Sequence, residues 1–216
     1  MGDDREVALV TGGSRGIGKA CAVNLAKRGF DVVAASRTLH TGEAHEQSAT
    51  IHASDVRAMP GSLEETVAEC ESYGVRALAV KMDLLDRAEI TDGVQSILKT
   101  FGRIDVLVNN GRYYGPGQMD LFLDTDMEYF DKANEANVMA PLLLIKLCVP
   151  SMIENGGGVI VNLTSSSGSR EVAALPGQGG WGLNYSFTKA AIHRISWGLA
   201  KEFKQYNIAV INMSPG

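Results

Sequence analysis

Tyr185 and Lys189 stand four residues apart in Tyr185-Ser186-Phe187-Thr188-Lys189, a spacing that puts both side chains on one face of a helix. A phenol titrates near ~10 in water, so carrying a proton near neutrality demands about 4 kcal/mol of differential stabilisation. One cation ~4 Å away at an effective dielectric of ~20 supplies about that much. The pair could therefore give a proton to a reacting oxygen or take one from it, although the same spacing also occurs on solvated helix faces. Upstream, Asn162-Leu163-Thr164-Ser165-Ser166-Ser167-Gly168 offers hydroxyls able to orient a carbonyl. Asn137 is an amide within apolar helical sequence, Ala136-Asn137-Val138-Met139, and must find partners whether its role is structural or catalytic.

A second chemistry is written in Thr11-Gly12-Gly13-Ser14-Arg15-Gly16-Ile17-Gly18. Glycines there permit positive φ and let backbone N–H groups approach a pyrophosphate, whose charge a helix N-terminus stabilises. The motif gains its force from its place between a first strand and a first helix. Dinucleotide folds put Asp or Glu at the end of the second strand, against the adenosine ribose. Here that position reads Ala35-Ser36-Arg37. A guanidinium at Arg37 with Arg15 nearby suits a 2′-phosphate, which predicts NADP(H) over NAD(H). The competing reading makes Arg37 a solvated strand-end residue.

Positioning these groups requires a scaffold, and short β-branched runs alternate with longer helical segments. Strands are expected at Glu6–Val10, Asp31–Ala35, Arg76–Val80, Ile104–Val108, Val159–Leu163 and Ile208–Met213. Helices are expected at Gly16–Arg28, Ser62–Tyr73, Arg87–Phe101, Thr125–Glu154 and Gly182–Tyr206. The pattern predicts an α/β fold, a Rossmann-like doubly wound parallel sheet in three α/β/α layers, as one domain over residues 1–216. Two stretches break the rhythm. Thr38–Pro60 is polar and aperiodic and reads as a surface excursion; Gly168–Gly182 reads as a lid or binding loop.

Composition narrows the classes. At 45% hydrophobic and 21% charged, 216 residues can bury a sizeable core. Twenty basic residues against 25 acidic, with no run of like charge, leave no footprint for nucleic acid. Cys21, Cys70 and Cys148 are odd in number and far apart, which fits neither a disulfide framework nor a zinc ribbon and suits a reducing, cytoplasmic setting. The acidic start lacks the layout of a secretory signal, and no apolar run approaches the ~18 residues that span a bilayer, so no membrane partner is expected. His40, His45 and His52, with Asp55, have no metal-site spacing and read as solvated loop residues; no metal is expected. His193 reads as a packing residue, and Trp181 as packing or, alternatively, a substrate platform.

Together these residues resemble the short-chain dehydrogenase/reductase family, over essentially the whole chain. The likeness rests on the loop at Thr11–Gly18, Asp83 after the third strand, Asn109-Asn110 after the fourth, Asn137, Ser165, Tyr185-x-x-x-Lys189 and the terminal Pro215-Gly216. The resemblance implies Tyr185 as general acid/base, Ser165 holding the reacting oxygen, Lys189 binding the nicotinamide ribose and lowering the pKa of Tyr185, and Asn137 anchoring a relay water. Ser165 matches the family's Asn-x-Ser/Thr-Ser pattern, with Ser166 as the fallback. The cofactor would contact Gly12, Ser14, Arg15, Gly16, Ile17, Gly18, Ser36, Arg37, Asp83, Leu84, Asn109, Pro215 and Gly216, besides Tyr185 and Lys189. The implied activity interconverts a ketone and a secondary alcohol on a small-molecule substrate, in a homodimer or homotetramer built through the two long helices. The alternative is an NADP(H)-binding sensor that turns nothing over.

Three features depart from that pattern. Arg112 stands in Asn109-Asn110-Gly111-Arg112 where the family has Asn-Asn-Ala-Gly, and is expected to point, with Tyr113 and Tyr114, toward the substrate entrance. Ser165 and Tyr185 are twenty residues apart, a long interval, so the intervening loop is expected to wrap the site's mouth. The sequence ends at Pro215-Gly216, before the family's usual substrate-covering segment and last strand, which are expected to be missing.

Overall fold

Strands covered on both faces are written as continuous apolar runs, and β1 (Val7–Thr11) is buried throughout. The structure is a computed structural model that describes residues 5–172 and 174–215. β1 is joined by β2 (Asp31–Ser36), β3 (Ala77–Lys81), β4 (Val106–Asn109), β5 (Gly158–Leu163) and β6 (Ile208–Met213). All pairings are parallel, in the order β3-β2-β1-β4-β5-β6. This is the Rossmann-like doubly wound order, which reverses between β1 and β4, and the crevice at the carboxyl ends of the strands there is where such sheets hold ligands.

Helices α1 (Gly16–Lys27) and α2 (Leu63–Glu71) cover one face around Val10, Val32 and Val108. The other face packs Leu9, Val33, Leu107 and Ile160 against α3 (Arg87–Phe101), α5 (Ala140–Glu154) and part of α6 (Leu183–Phe203). Local chemistry sets the ends. Asp86 caps α3 by accepting from Ala88 N and Glu89 N, and Gly102 ends it at φ 77.

The single helix expected over Thr125–Glu154 is instead α4 (Met127–Asn134), a π turn (Glu135–Met139) and α5. Pro141 has no N–H to give the carbonyl of Asn137 four residues back, so the ordinary ladder breaks at that amide. The same run, Met127–Glu154, corrects a second expectation. By length and composition it is apolar enough to cross a membrane, with mean hydropathy 1.7 over its best window, of which 61% is buried inside the molecule. Leu144, Ile145, Cys148 and Met152 of that run belong to the core.

The 38–60 excursion is more than surface loop. Glu46 ties it together by accepting from Ser54 Oγ, Asp55 N and Ser48 N, which holds the Glu46 carboxyl down at about 2. Asp120, 4% exposed, then fastens it across the sheet: its carboxylate accepts from Thr50 Oγ1, Ile51 N (3.0 Å) and Gly117 N (2.8 Å). The Gly168–Gly182 segment docks on the same short stretch, with Gly182 N donating to Gln118 O at 2.6 Å.

Candidate active site

At the end of β1 the chain turns through Gly12 (φ 66) and Gly16 (φ 53) into α1. Gly18 is required for a different reason: a Cβ there would strike the Gly12 carbonyl and lie 2.5 Å from Asn110 Nδ2. The helix starts without a side-chain cap and without an acid in its first turn, so its leading N–H groups are available to an anion. A cavity of about 650 Å³ opens in front of them. Gly12, Ser14, Arg15, Gly16, Ile17 and Gly18 line it from the loop, with Ser36 and Arg37 after β2, Asp83 and Leu84 after β3, and Asn110, Gly111 and Arg112 after β4.

Asn109 does not line it. Its side chain is 5% exposed and donates Nδ2 to Asn162 Oδ1 at 2.8 Å, from the register-paired position on β5. Asn110 faces the groove instead and donates Nδ2 to Thr11 O (2.9 Å) and Gly12 O (3.3 Å). Alternation along the strand directs consecutive asparagines to opposite sides. Pro215 is exposed and, like Tyr185 and Lys189, is not among the residues of the cavity wall; Gly216 lies outside the described residues.

At the far end of the cavity, Arg15 donates Nη2 to Thr38 Oγ1 (3.0 Å) and Gly61 O (3.4 Å), and its Nε is buried without a partner among the described residues. Burial and then the Arg37 charge lower the Arg15 pKa, so the two guanidiniums sit close enough to repel. The sequence reading missed the excursion's share of this wall: Glu43, His45, Gln47, Asp55 and Arg57 line it too. Burial and then Arg37 depress the His45 pKa below the usual imidazole value. The acids are already engaged, Glu43 by the N–H groups of Leu39 and His40, and Asp55 by Arg57. An orphaned guanidinium N–H and a second repelling arginine suit a dianion. The only signal in the sequence was three histidines, His40, His45 and His52, in a polar stretch without periodicity.

Nearer β5 the proton-handling groups assemble. Lys189, 6% exposed, donates Nζ to the carbonyl of Leu163, the last residue of the strand, at 2.7 Å. Burial, and then Arg112, push its pKa down to about 8. Its ammonium lies 5.6 Å from the ring centroid of Tyr185, which is buried. Ser165 caps a short turn, and its Oγ accepts from Ser167 N (3.3 Å) and Ser167 Oγ (2.9 Å), leaving its own proton to give; Ser166 is exposed. Gly168 lets this turn lie against α6, since a Cβ there would be 2.5 Å from Ala190 N.

Asn137 joins this group through its amide. Oδ1 accepts from Tyr113 N (2.7 Å), Nδ2 donates to Thr188 Oγ1 (3.2 Å), and Thr188 donates to the Tyr185 carbonyl (2.8 Å). His193 is satisfied by the Ser165 carbonyl, 3.2 Å from Nε2. Trp181 packs on Tyr185 with ring centroids 4.5 Å apart and planes tilted by 36°, and remains 39% exposed, so it packs and faces outward at once. Gly111 takes the tight position beside the loop, where a Cβ would come within 3.1 Å of Gly12 N, and Arg112 is turned over the Tyr185 ring. Among the described residues no group of three His, Cys, Asp or Glu could hold a metal.

Comparison with known proteins accords with this arrangement. The short chain dehydrogenase family model matches residues 6–63 and 46–216, two pieces that overlap over 46–63. An uncharacterized oxidoreductase of Thermotoga maritima is 34% identical over 211 residues, covering 98% of this chain and 71% of its own length. L-rhamnose 1-dehydrogenase (NAD(P)(+)) of a Sphingomonas species is 30% identical over 212 residues, 98% of this chain and 72% of that one. Among solved structures, a metagenomic short-chain oxidoreductase in complex with NADP superposes with a TM-score of 0.79 at 27% identity, covering 98% of this chain and 82% of that chain. Likeness of that extent, on a sheet wound in this order, leaves one assignment: the chain belongs to the short-chain dehydrogenase/reductase family of oxidoreductases.

Proposed function

We propose that this oxidoreductase is NADP(H)-dependent and interconverts a ketone and a secondary alcohol, with Tyr185 as the general acid/base. The observation that carries the reading is the Tyr185 ring with the Lys189 ammonium 5.6 Å from its centroid, next to Arg112 in the cofactor groove wall. Bound NADPH would supply the hydride for the carbonyl carbon, and the residue that gives the carbonyl oxygen its proton is Tyr185. Ser165 has its acceptor side occupied by Ser167 and gives its own proton to the substrate oxygen as a hydrogen bond. Lys189, one of whose protons goes to the Leu163 carbonyl, would hold the nicotinamide ribose with those that remain. Asn137 holds a relay water through the backbone of the π turn, its side-chain amide being committed to Tyr113 and Thr188. The substrate is a small carbonyl or alcohol compound, and the three free cysteines suit a cytoplasmic setting. The exposed apolar side chains of the long helices, Met139, Ile153 and Trp197, suit assembly as a homodimer or homotetramer.

Ser165→Ala is expected to lower kcat about 100-fold, and Ser166→Ala to leave it within about twofold. Steady-state oxidation of NADPH followed at 340 nm compares them; equal losses would mean that the wrong hydroxyl has been chosen.

The 2′-phosphate reading rests on Arg15 and Arg37, with His45 beside them. His45 is held below its ordinary pKa in the free protein, and a bound phosphate would raise it, so binding takes up a proton. Affinity for NADP⁺, but not for NAD⁺, should therefore climb as pH falls from 7 toward 6. Arg37→Ala is expected to cut the NADP⁺ over NAD⁺ preference roughly 10- to 100-fold, and His45→Gln to flatten its pH dependence. Fluorescence titrations of both cofactors test this, and equal wild-type affinities would defeat the assignment.

A further inference from the structure

Arg112 is the side chain that the oxidoreductase chemistry leaves unused. Its guanidinium carbon lies 4.7 Å from the ring centroid of Tyr114 and 5.4 Å from that of Tyr185, so it sits between two aromatic rings at the reacting end of the groove. Nη1 is occupied: it donates to Gln118 Oε1 and to the Tyr113 carbonyl (3.3 Å). Gln118 is 1% exposed and is itself pinned by donating Nε2 to the Tyr113 carbonyl at 2.8 Å. Nε and Nη2 have no acceptor among the described residues, and that edge of a guanidinium is one that grips a carboxylate with two parallel hydrogen bonds.

The charge balance points the same way. Lys189, also beside the Tyr185 ring, is buried, and neither it nor Arg112 has a carboxylate partner among the described residues. The titratable groups that act on Arg112 are Tyr185 and Tyr114, and the one that acts on Lys189 is Arg112. Lys189 is thus drawn out of water and Arg112 partly so, around one phenol and with no carboxylate among the described residues to offset them, an arrangement that costs stability unless a bound group supplies the charge.

We infer that Arg112 is a specificity-determining residue that binds a substrate carboxylate, and that the substrate class is a short oxo acid and the corresponding hydroxy acid. With the carbonyl oxygen at the Tyr185 hydroxyl and the carboxylate on the Nε and Nη2 edge, the two groups must be separated by only a few bonds, as in 2-oxo and 3-oxo acids. The redox step is unchanged: the ketone carbon gains the hydride and its oxygen the proton, while the carboxylate stays ionised throughout. Stacked on the Tyr185 ring, Arg112 would also draw the carboxylate toward the proton donor, coupling binding to orientation.

This inference rests on the oxidoreductase reading of the same site, so its test separates the two. NADPH oxidation is measured with 2-oxobutanoate and acetoacetate, each against its methyl ester, in wild type, Arg112→Lys and Arg112→Met. In parallel, the NADP⁺ complex is titrated calorimetrically with isobutyrate, an unreactive carboxylate. Wild type should favour acid over ester by roughly 10- to 100-fold in kcat/KM. Arg112→Met should bring that ratio near one, Arg112→Lys should fall between, and isobutyrate binding should weaken in the same order. Esters turned over as well as acids, with a ratio that Arg112→Met does not change, overturn the oxo-acid inference and leave the oxidoreductase reading standing. No turnover of any ketone, with isobutyrate still held in an Arg112-dependent way, keeps the anion site and sinks the oxidoreductase reading. Neither turnover nor binding overturns both.

Discussion

Tyr185→Phe is expected to lower kcat by about 10³-fold while the Kd for NADPH shifts by less than about twofold. The substitution keeps the ring that packs on Trp181 and lies beneath Arg112, and removes only the proton carrier. Because the phenol is buried, no bulk water stands ready to replace it. kcat and kcat/KM should fall together, the pattern of an interaction made in the transition state. Absorbance at 340 nm and a fluorescence titration of NADPH are the two measurements. A variant that retained a tenth of wild-type turnover would show that another group moves the proton.

Lys189→Met separates activity from stability with opposite signs. The Lys189 ammonium is one of two cations beside the Tyr185 ring, 5.6 Å from the centroid, and removing it should lower kcat about 10²-fold. Stability should move the other way. Burial lowers the Lys189 pKa from 10.5 to about 8, a shift that corresponds to about 3 kcal/mol against the charged native form. Losing the hydrogen bond to Leu163 returns about 1 kcal/mol, which leaves Lys189→Met about 2 kcal/mol more stable near neutrality. The pH window follows from the direction of the shift. Below pH 8 both native and unfolded wild type hold the proton and the penalty is complete. Between pH 8 and 10.5 the unfolded chain holds more protons than the native one, so wild-type stability rises with pH and the gap to the variant closes. Urea melts at pH 7 and pH 10 read this directly; a gap that widens with pH would refute the sign.

Much of the scaffold was legible because it is periodic. All six strands fall within two residues of their expected bounds, since runs such as Val7-Ala8-Leu9-Val10 bury both faces and are apolar throughout. The break at Asn137 was also encoded, by Pro141 four residues on, but a hydrophobic pattern that continues across it reads as one helix. What could not be read lies where side chains answer to neighbours distant in sequence. Asn109 and Asn110 are adjacent and identical, and only the register with Asn162 on β5 and the approach of Gly12 and Thr11 sort them to opposite sides. His45 reads as a loop histidine until the excursion is laid along the groove beside Arg15 and Arg37.

The amino-acid sequence by itself settled the parallel sheet, the glycine turn that opens α1, and the Tyr185–Lys189 face, because each is local: a period, a φ sign or an i,i+4 spacing. Tertiary structure alone decided that the 38–60 segment closes over the groove, since its anchors are Asp120 and Met119 and no repeat in the chain announces a contact about seventy residues away. It alone also placed Arg112, because Gln118, Tyr114 and Tyr185 hold that guanidinium, and which donor edge they leave open depends on three segments meeting in space.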